Sequence, residues 1–551
     1  MARSTLIRDI VSGERELPGQ ETPIDAVVVG AGFGGMYAIY KLRSMGLAVH
    51  GFEAASDVGG TWWWNCYPGA RCDVESLDYC YAFDEALLDE WKWSERFATQ
   101  PEVLRYADHV ADRYGLREHI TFSARVNGCT WHEEQRLWTV TTENGDEVRA
   151  RFLIAATGCL SKPNRPDLPG LDDFAGEVLF TQAWPHEGYD LSGKRVGVIG
   201  TGSSGIQTIP VIAREVEHLT VFQRTANFTL PAVNRPIFPE YEAEIRADYL
   251  GHRREILQNR AASVKQTIAD SAFDLTDEER EAAYEAKWQR GGAGGIPVLF
   301  ADSLTNPAAN EEAARFVRRK ISEIVDNPET AEALTPRDHP IATKRICLDT
   351  DYYATFNRPN VTLVDLKKTP IERVSTDAIR TTDATYPLDV LIFATGFDAM
   401  TGPLRAMNVR GIGGHTIEEA WADGPRTWLG LMVAGFPNLF TITGPGSPSV
   451  IVNMIPAIEQ HVNWVADLIA HMRKTGQTRV EPLDAAQEEW VNEVRRVAEA
   501  TLYPLANSWY NGDNIAGKPR MFMAYLGGYP AYAQHCEEIA AAGYSGLELA
   551  A

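Results

Sequence analysis

The chain has 551 residues, 44% of them apolar, and its 75 acidic residues outnumber its 52 basic ones for a formal charge of −23. That length gives room for two or three domains with cores of their own, and that charge argues against a general nucleic-acid or anionic-membrane surface, so basic residues should matter locally, where they meet anionic ligands. Residues 1–21 are polar with no apolar signal core, and no run of about 18 apolar residues occurs anywhere, so a cytoplasmic protein with no membrane partner is expected.

The first predicted strand, 26–29, runs into Gly30-Ala31-Gly32-Phe33-Gly34-Gly35 and then into a helical pattern. In that context a glycine turn sets a pyrophosphate on a helix N-terminus. The second strand, 48–52, ends at Glu53, a carboxylate at the spacing that meets the free ribose hydroxyls of a dinucleotide such as FAD. Residues 59–73 read Gly-Gly-Thr-Trp-Trp-Trp-Asn-Cys-Tyr-Pro-Gly-Ala-Arg-Cys-Asp. Three consecutive tryptophans, Trp62, Trp63 and Trp64, are costly to leave in water, so this loop is expected to cover a large flat ligand or the core beside it. Asp73, following Arg71, is placed to tune a neighbouring cation or a flavin edge.

Segments 138–142 and 147–155 alternate apolar with polar around Asn144-Gly145, a hairpin signal. The second ends in Ala155-Ala156-Thr157-Gly158, and a similar ending, Ala394-Thr395-Gly396, follows 389–393. Both mark places where the chain crosses between two nucleotide domains. Between them, strand 196–199 leads into a second fingerprint, Gly200-Thr201-Gly202-Ser203-Ser204-Gly205, and the next strand, 219–222, ends in Gln223-Arg224-Thr225 instead of an acid. An arginine there suits a 2′-phosphate, which favours NADPH over NADH. Residues 241–334 are charged and helical, with helices expected over 242–259, 277–289 and 311–324 and a flexible glycine loop at 291–295.

The expected fold is α/β: two Rossmann-like dinucleotide-binding domains, for FAD and NADP, with a helical insertion in the NADP domain. Residues 1–150 and 389–551 form the FAD side, 151–230 and 335–388 the NADP side, and 231–334 the insertion. Two dinucleotide sites fit a flavin paired with a nicotinamide, because one accepts the hydride the other gives. The seven cysteines include no Cys-x-x-Cys pair and no histidines at metal-ligand spacing, which argues against a metal centre and against dithiol chemistry. Cys66, Cys72 and Cys80 read as small buried hydrophobes near a cofactor.

The string 59–73 resembles the Gly-Gly-x-Trp-x-x-x-x-(Phe/Tyr)-Pro-Gly-x-x-x-Asp motif of type I Baeyer–Villiger monooxygenases, nearest their phenylacetone monooxygenase group. Further matches are Thr343-Lys344-Arg345, Asp351-Tyr352-Tyr353 with Phe356-Asn357-Arg358, Asn507-Ser508-Trp509-Tyr510 and Gly517-Lys518-Pro519, so the similarity spans about 23–547. The family's linker motif Phe-x-Gly-x-x-x-His-x-x-x-Trp-(Pro/Asp) is present with Phe180 in the histidine position, between Phe174, Gly176 and Trp184-Pro185, and His186 does not restore the spacing.

The resemblance implies that NADPH reduces FAD, dioxygen adds at the flavin C4a carbon, and the resulting peroxide attacks a ketone carbonyl to give an ester or lactone. Arg345 is then the catalytic cation for the negative charge and Asp73 its holder. The implied FAD set is Gly30, Gly32, Gly35, Glu53, Thr61, Trp62, Trp63, Trp64, Asp73, Tyr79, Val126 and Met454. The NADP set is Arg71, Gly200, Thr201, Gly202, Ser203, Ser204, Gly205, Arg224, Thr225, Lys344, Arg345 and Trp509, the last on a C-terminal loop that opens and closes to exclude water. Segment 446–454 resembles the family's substrate-shaping loop, though ordinary core packing explains its β-branched residues as well. The expected partners are an apolar ketone and O2; a monomer is compatible, and oligomeric state is left open. Oxygenation of sulfur or nitrogen, an uncoupled NADPH oxidase and a non-catalytic flavin-binding protein are the rival readings.

Overall fold

The computed structural model describes residues 17–264, 266–292 and 294–551. Most of the polar N-terminal stretch 1–21 and part of the glycine loop 291–295 thus lie outside the described residues. Two βαβ units organise the chain. In the first, β1 (Ile24–Val29), α1 (Phe33–Ser44) and β2 (Val49–Phe52) follow one another, with β1 and β2 paired in parallel from Ala26↔Val49 to Val29↔Phe52. In the second, β3 (Arg195–Ile199), α2 (Ser203–Ile212) and β4 (His218–Gln223) repeat the plan. The strands are apolar on both faces because helices and loops cover both sides of a parallel sheet; Ala26, Val27, Val28, Val196 and Val198 have no exposed surface.

In the first sheet, β1 lies between β2 and Glu147–Ala155, and β2 continues to Ile120–Thr121. The far edge of Glu147–Ala155 is shared. Its first half pairs antiparallel with Leu137–Thr142, the other arm of the hairpin at Gly145 (φ +88), and its second half pairs in parallel with Leu439–Thr441. The C-terminal part of the chain therefore completes the first sheet. The second sheet is wholly parallel, in the order Val361–Asp365, β4, β3, Val390–Phe393, Glu177–Phe180. Where the chain passes between the sheets the two crossing segments run side by side: Thr395 Oγ1 donates to Asn164 O at 2.7 Å, and Asn164 N donates to Gly396 O.

The stretch expected to be one helix over 242–259 is two, Pro239–Ala247 and Tyr249–Leu257. Asp248 breaks it by leaving helical geometry (φ −148, ψ 68) and capping the second helix through Gly251 N. These two helices dock on the first core. Arg246 donates to Leu88 O and Trp91 O, and buried Arg253 donates to Asp78 O. The later helices Asp277–Arg290 and Pro307–Ile324 pack Tyr284, Phe316 and Ile321 into the second core. No helix of the described residues is long and apolar enough to cross a membrane.

Candidate active site

The first cradle is built by close backbone contacts. Gly30 has φ +105, and a Cβ there would sit 2.5 Å from Ala156 O; a Cβ on Gly35 would sit 1.8 Å from Gly30 O. Only glycine lets strand, turn and helix close this tightly. No side chain caps α1 and no acid stands in its first turn, so its N–H groups and dipole are presented to an anion. Glu53 lies across the turn and accepts from Ala31 N (2.6 Å) and Ala55 N (2.7 Å). Burial pushes its carboxyl up and these N–H groups pull it down; each oxygen keeps a lone pair for a ribose hydroxyl.

The second cradle repeats the device. A Cβ on Gly200 (φ +112) would meet Ala394 O at 2.4 Å and one on Gly205 would meet Gly200 O at 2.3 Å, whereas Gly202 faces open space where a pyrophosphate can approach the backbone. Thr201 donates to Thr225 O at 3.0 Å, and Ser203 and Ser204 open α2. Arg224 is exposed and makes no ion pair among the described residues. Lys344 is half-buried; burial pushes its ammonium pKa down, Asp338 opposes that, and the charges of Arg224 and Lys367 add to it. The charges of Arg224 and Lys344 thus lie within electrostatic reach of each other, with Thr225 next to Arg224 in the chain.

The aromatic loop joins the cradles. Gly60 (φ +54) would place a Cβ 2.7 Å from Gly32 Cα, so the motif abuts the first fingerprint backbone to backbone. Thr61, Trp62, Trp63 and Trp64 form one helical turn with all three indoles half-buried. Trp62 Nε1 donates to the buried Tyr79 hydroxyl at 3.1 Å, and the Trp63 ring lies 4.3 Å from that of His186. Val126 is buried in the first-sheet core, whereas Met454 opens helix Met454–Thr475 and packs half-buried against two other clusters, one of them holding Tyr510. Arg71 is ion-paired with Glu95 at 3.0 Å.

At the end of this loop, Asp73 Oδ2 accepts from Arg345 Nε at 3.0 Å and Nη2 at 2.6 Å, while Arg345 Nη1 donates to Val450 O at 2.7 Å. The Asp73 carboxylate holds the guanidinium well above its ordinary pKa. About a third of both side chains remains accessible, 34% and 30%, so the cation is fixed yet presented. Tyr510 is buried beside it: burial pushes the phenol up and the Arg345 charge pulls it down. The Trp509 ring lies 4.2 Å from that of Tyr510, and their loop is anchored by Lys518 Nζ on Asp398 (2.9 Å) and on Ala399 O (2.7 Å).

Phe180 is far from a hydrogen-bonding role. It ends strand Glu177–Phe180, stacks on Phe393 at 5.1 Å, and carries the Arg165 guanidinium 4.8 Å above its ring. All described cysteines are free, and among the described residues no group of metal-ligating side chains forms. Sequence alone gave no reason to single out Tyr67 or Gln207, which bridge the two motifs; their partners lie 140 residues apart and only the docking of α2 shows them.

Two glycine cradles joined by an aromatic loop, beside a presented arginine, define a two-dinucleotide flavoprotein oxidoreductase. Residues 24–281 match the family model described as pyridine nucleotide-disulphide oxidoreductase. The chain is 44% identical to a Baeyer–Villiger monooxygenase of Pseudooceanicola batsensis over 95% of its length and 96% of that protein, and 40% identical to phenazine N-monooxygenase PhzNO1 of Lysobacter antibioticus over 97% and 98%. Among solved structures it resembles an oxidized steroid monooxygenase bound to NADP (51% identity, TM-score 0.92, 96% of this chain and 100% of that one) and OTEMO in complex with FAD and NADP (41%, 0.92, 96% and 99%). The chain belongs to the Baeyer–Villiger monooxygenase family.

Proposed function

We propose that Arg345, held by Asp73, is the charge-stabilising centre of an FAD- and NADPH-dependent Baeyer–Villiger monooxygenase that inserts one oxygen atom of O2 beside the carbonyl of apolar ketones, giving esters or lactones. The residues fit both dinucleotides: Gly30, Gly32, Gly35 and Glu53 on one side, Gly200, Gly202, Gly205, Arg224, Thr225 and Lys344 on the other. Bound there, NADPH supplies the hydride and FAD the reduced ring that activates dioxygen.

Attack on a carbonyl concentrates negative charge on oxygen. A guanidinium stays cationic throughout and is worth most where water is scarce. Asp73 and the Val450 carbonyl fix its plane from two sides, so no reorganisation is needed when charge develops. Tyr510 and Trp509 close one flank and limit water, which would otherwise divert reducing equivalents to hydrogen peroxide. The carrying observation is this cation, restrained by two partners and still one-third accessible. The neighbouring charges of Arg224 and Lys344 support NADPH as donor.

The relative named for N-oxygenation of phenazine supports a second reading, transfer to nitrogen, which needs no carbonyl-directed cation. The FAD-loaded protein with NADPH and air, given linear, cyclic and aryl ketones beside a phenazine, with ester, N-oxide and peroxide all measured, separates the two. Ester as the main product is expected; N-oxide alone, or peroxide alone, overturns the ketone reading.

A further inference from the structure

Side chains of α2 tie the second cradle to the aromatic loop. Gln207, in the second turn of α2, accepts from the Tyr67 hydroxyl at 2.8 Å through Oε1 and donates to Arg71 O at 3.1 Å through Nε2. Next to it, buried Thr208 donates to Pro68 O at 3.1 Å. A Cβ on Gly69 (φ +85) would lie 2.3 Å from Gln207 O, so loop and helix are in backbone contact as well. The amide orientation is settled by its partners: a carbonyl accepts only, so the NH2 group must face Arg71 O. Burial pushes the Tyr67 phenol up to about 12, and its hydroxyl is a donor at any working pH.

Arg71 stands two residues before Asp73, and Asp73 holds Arg345. A shift of the Arg71 carbonyl therefore reaches the charge centre, and a shift of α2 moves the second cradle relative to the first. We propose that Gln207 is a positioning residue that sets the register of α2 on loop 67–71, and with it the alignment of the two dinucleotide sites for hydride transfer. The proposal rests on the two-cofactor reading above but not on what is oxygenated.

The test uses the full FAD-loaded chain. Gln207→Met keeps length and volume and removes both bonds. The limiting rate of flavin reduction at saturating NADPH, without oxygen, is expected to fall about ten- to a hundredfold, with the NADPH Kd changed less than about threefold, because misalignment costs rate more than binding. Reduction by dithionite, which needs no second site, should stay as in the wild type. In the NADPH-free protein, amide exchange across 67–73 should rise. Gln207→Glu, which sets a carboxylate against Arg71 O, should match or exceed the loss. Should Gln207→Met fail to fold, Tyr67→Phe removes one bond and is expected to slow reduction severalfold. A wild-type limiting rate with wild-type exchange at 67–73, or a loss confined to Kd, overturns the proposal. Normal reduction kinetics in the wild type without ester from any ketone would instead strike the oxygenation reading and leave this one standing.

Discussion

A single oxygen of Asp73, Oδ2, takes both the Nε and the Nη2 hydrogens of Arg345, and this leaves Nη1 to the Val450 carbonyl. The carboxylate acts as a pivot, and the carbonyl stops rotation about it. Asp73→Asn keeps the shape but removes the charge, and a charge-assisted contact contributes about 1.5–3 kcal/mol. Ester formed per NADPH consumed should fall by about ten- to a hundredfold with FAD content unchanged. Product analysis against NADPH consumption checks it, and an unchanged ratio would show that the pivot is dispensable.

Arg224 makes no ion pair among the described residues and lies within electrostatic reach of Lys344. Arg224→Ala is expected to lower the preference for NADPH over NADH by about ten- to a hundredfold. Steady-state kinetics with both donors decide it; a preference equal to that of the wild type removes Arg224 from the 2′-phosphate site.

His461 has no exposed surface and accepts from Thr443 N at 3.0 Å through Nδ1; burial holds its pKa down to about 3, against 6.5 for a free imidazole. The unfolded chain thus binds a proton here that the folded chain refuses. Stability from this group is complete above about pH 6.5 and is lost as pH falls towards 3, at about 1.4 kcal/mol per pH unit. Urea unfolding at pH 7, 6 and 5 should show His461→Gln with a shallower acid dependence by about that slope. Parallel curves for the two proteins would contradict the assignment.

Phe180 sits between Phe393 and Arg165, inside the second sheet's edge. An imidazole there forfeits apolar area and, when protonated, repels Arg165, so Phe180→His should cost about 1–2 kcal/mol of stability. Ester per NADPH should change less than about threefold. A wild type that yields only peroxide, with ester appearing in Phe180→His, would mean the substitution had disabled oxygen transfer.

Local features were legible in the sequence. The glycine fingerprints, the hairpin at Asn144-Gly145 and the acid-for-arginine exchange at Arg224 each depend on neighbours a few residues away. The Arg345–Asp73 pair joins residues 272 apart and was reachable only because both lie in motifs that resemble one family. The Gln207 clasp and the insertion of Leu439–Thr441 beside Glu147–Ala155 carry no periodic or compositional mark, since each is decided by how separately formed elements dock. The break at Asp248 was hidden because charged residues continue through it on both sides, and only its cap on Gly251 shows the turn.

The most direct test of the charge-stabilising role is Arg345→Ala, followed through both half-reactions. The variant is expected to bind FAD and to be reduced by NADPH at a rate within about tenfold of the wild type, while ester per NADPH falls by at least about a hundredfold and peroxide accounts for the reducing equivalents. Ester yield equal to that of the wild type would contradict the account, because the guanidinium held by Asp73 would then have no part in oxygen transfer.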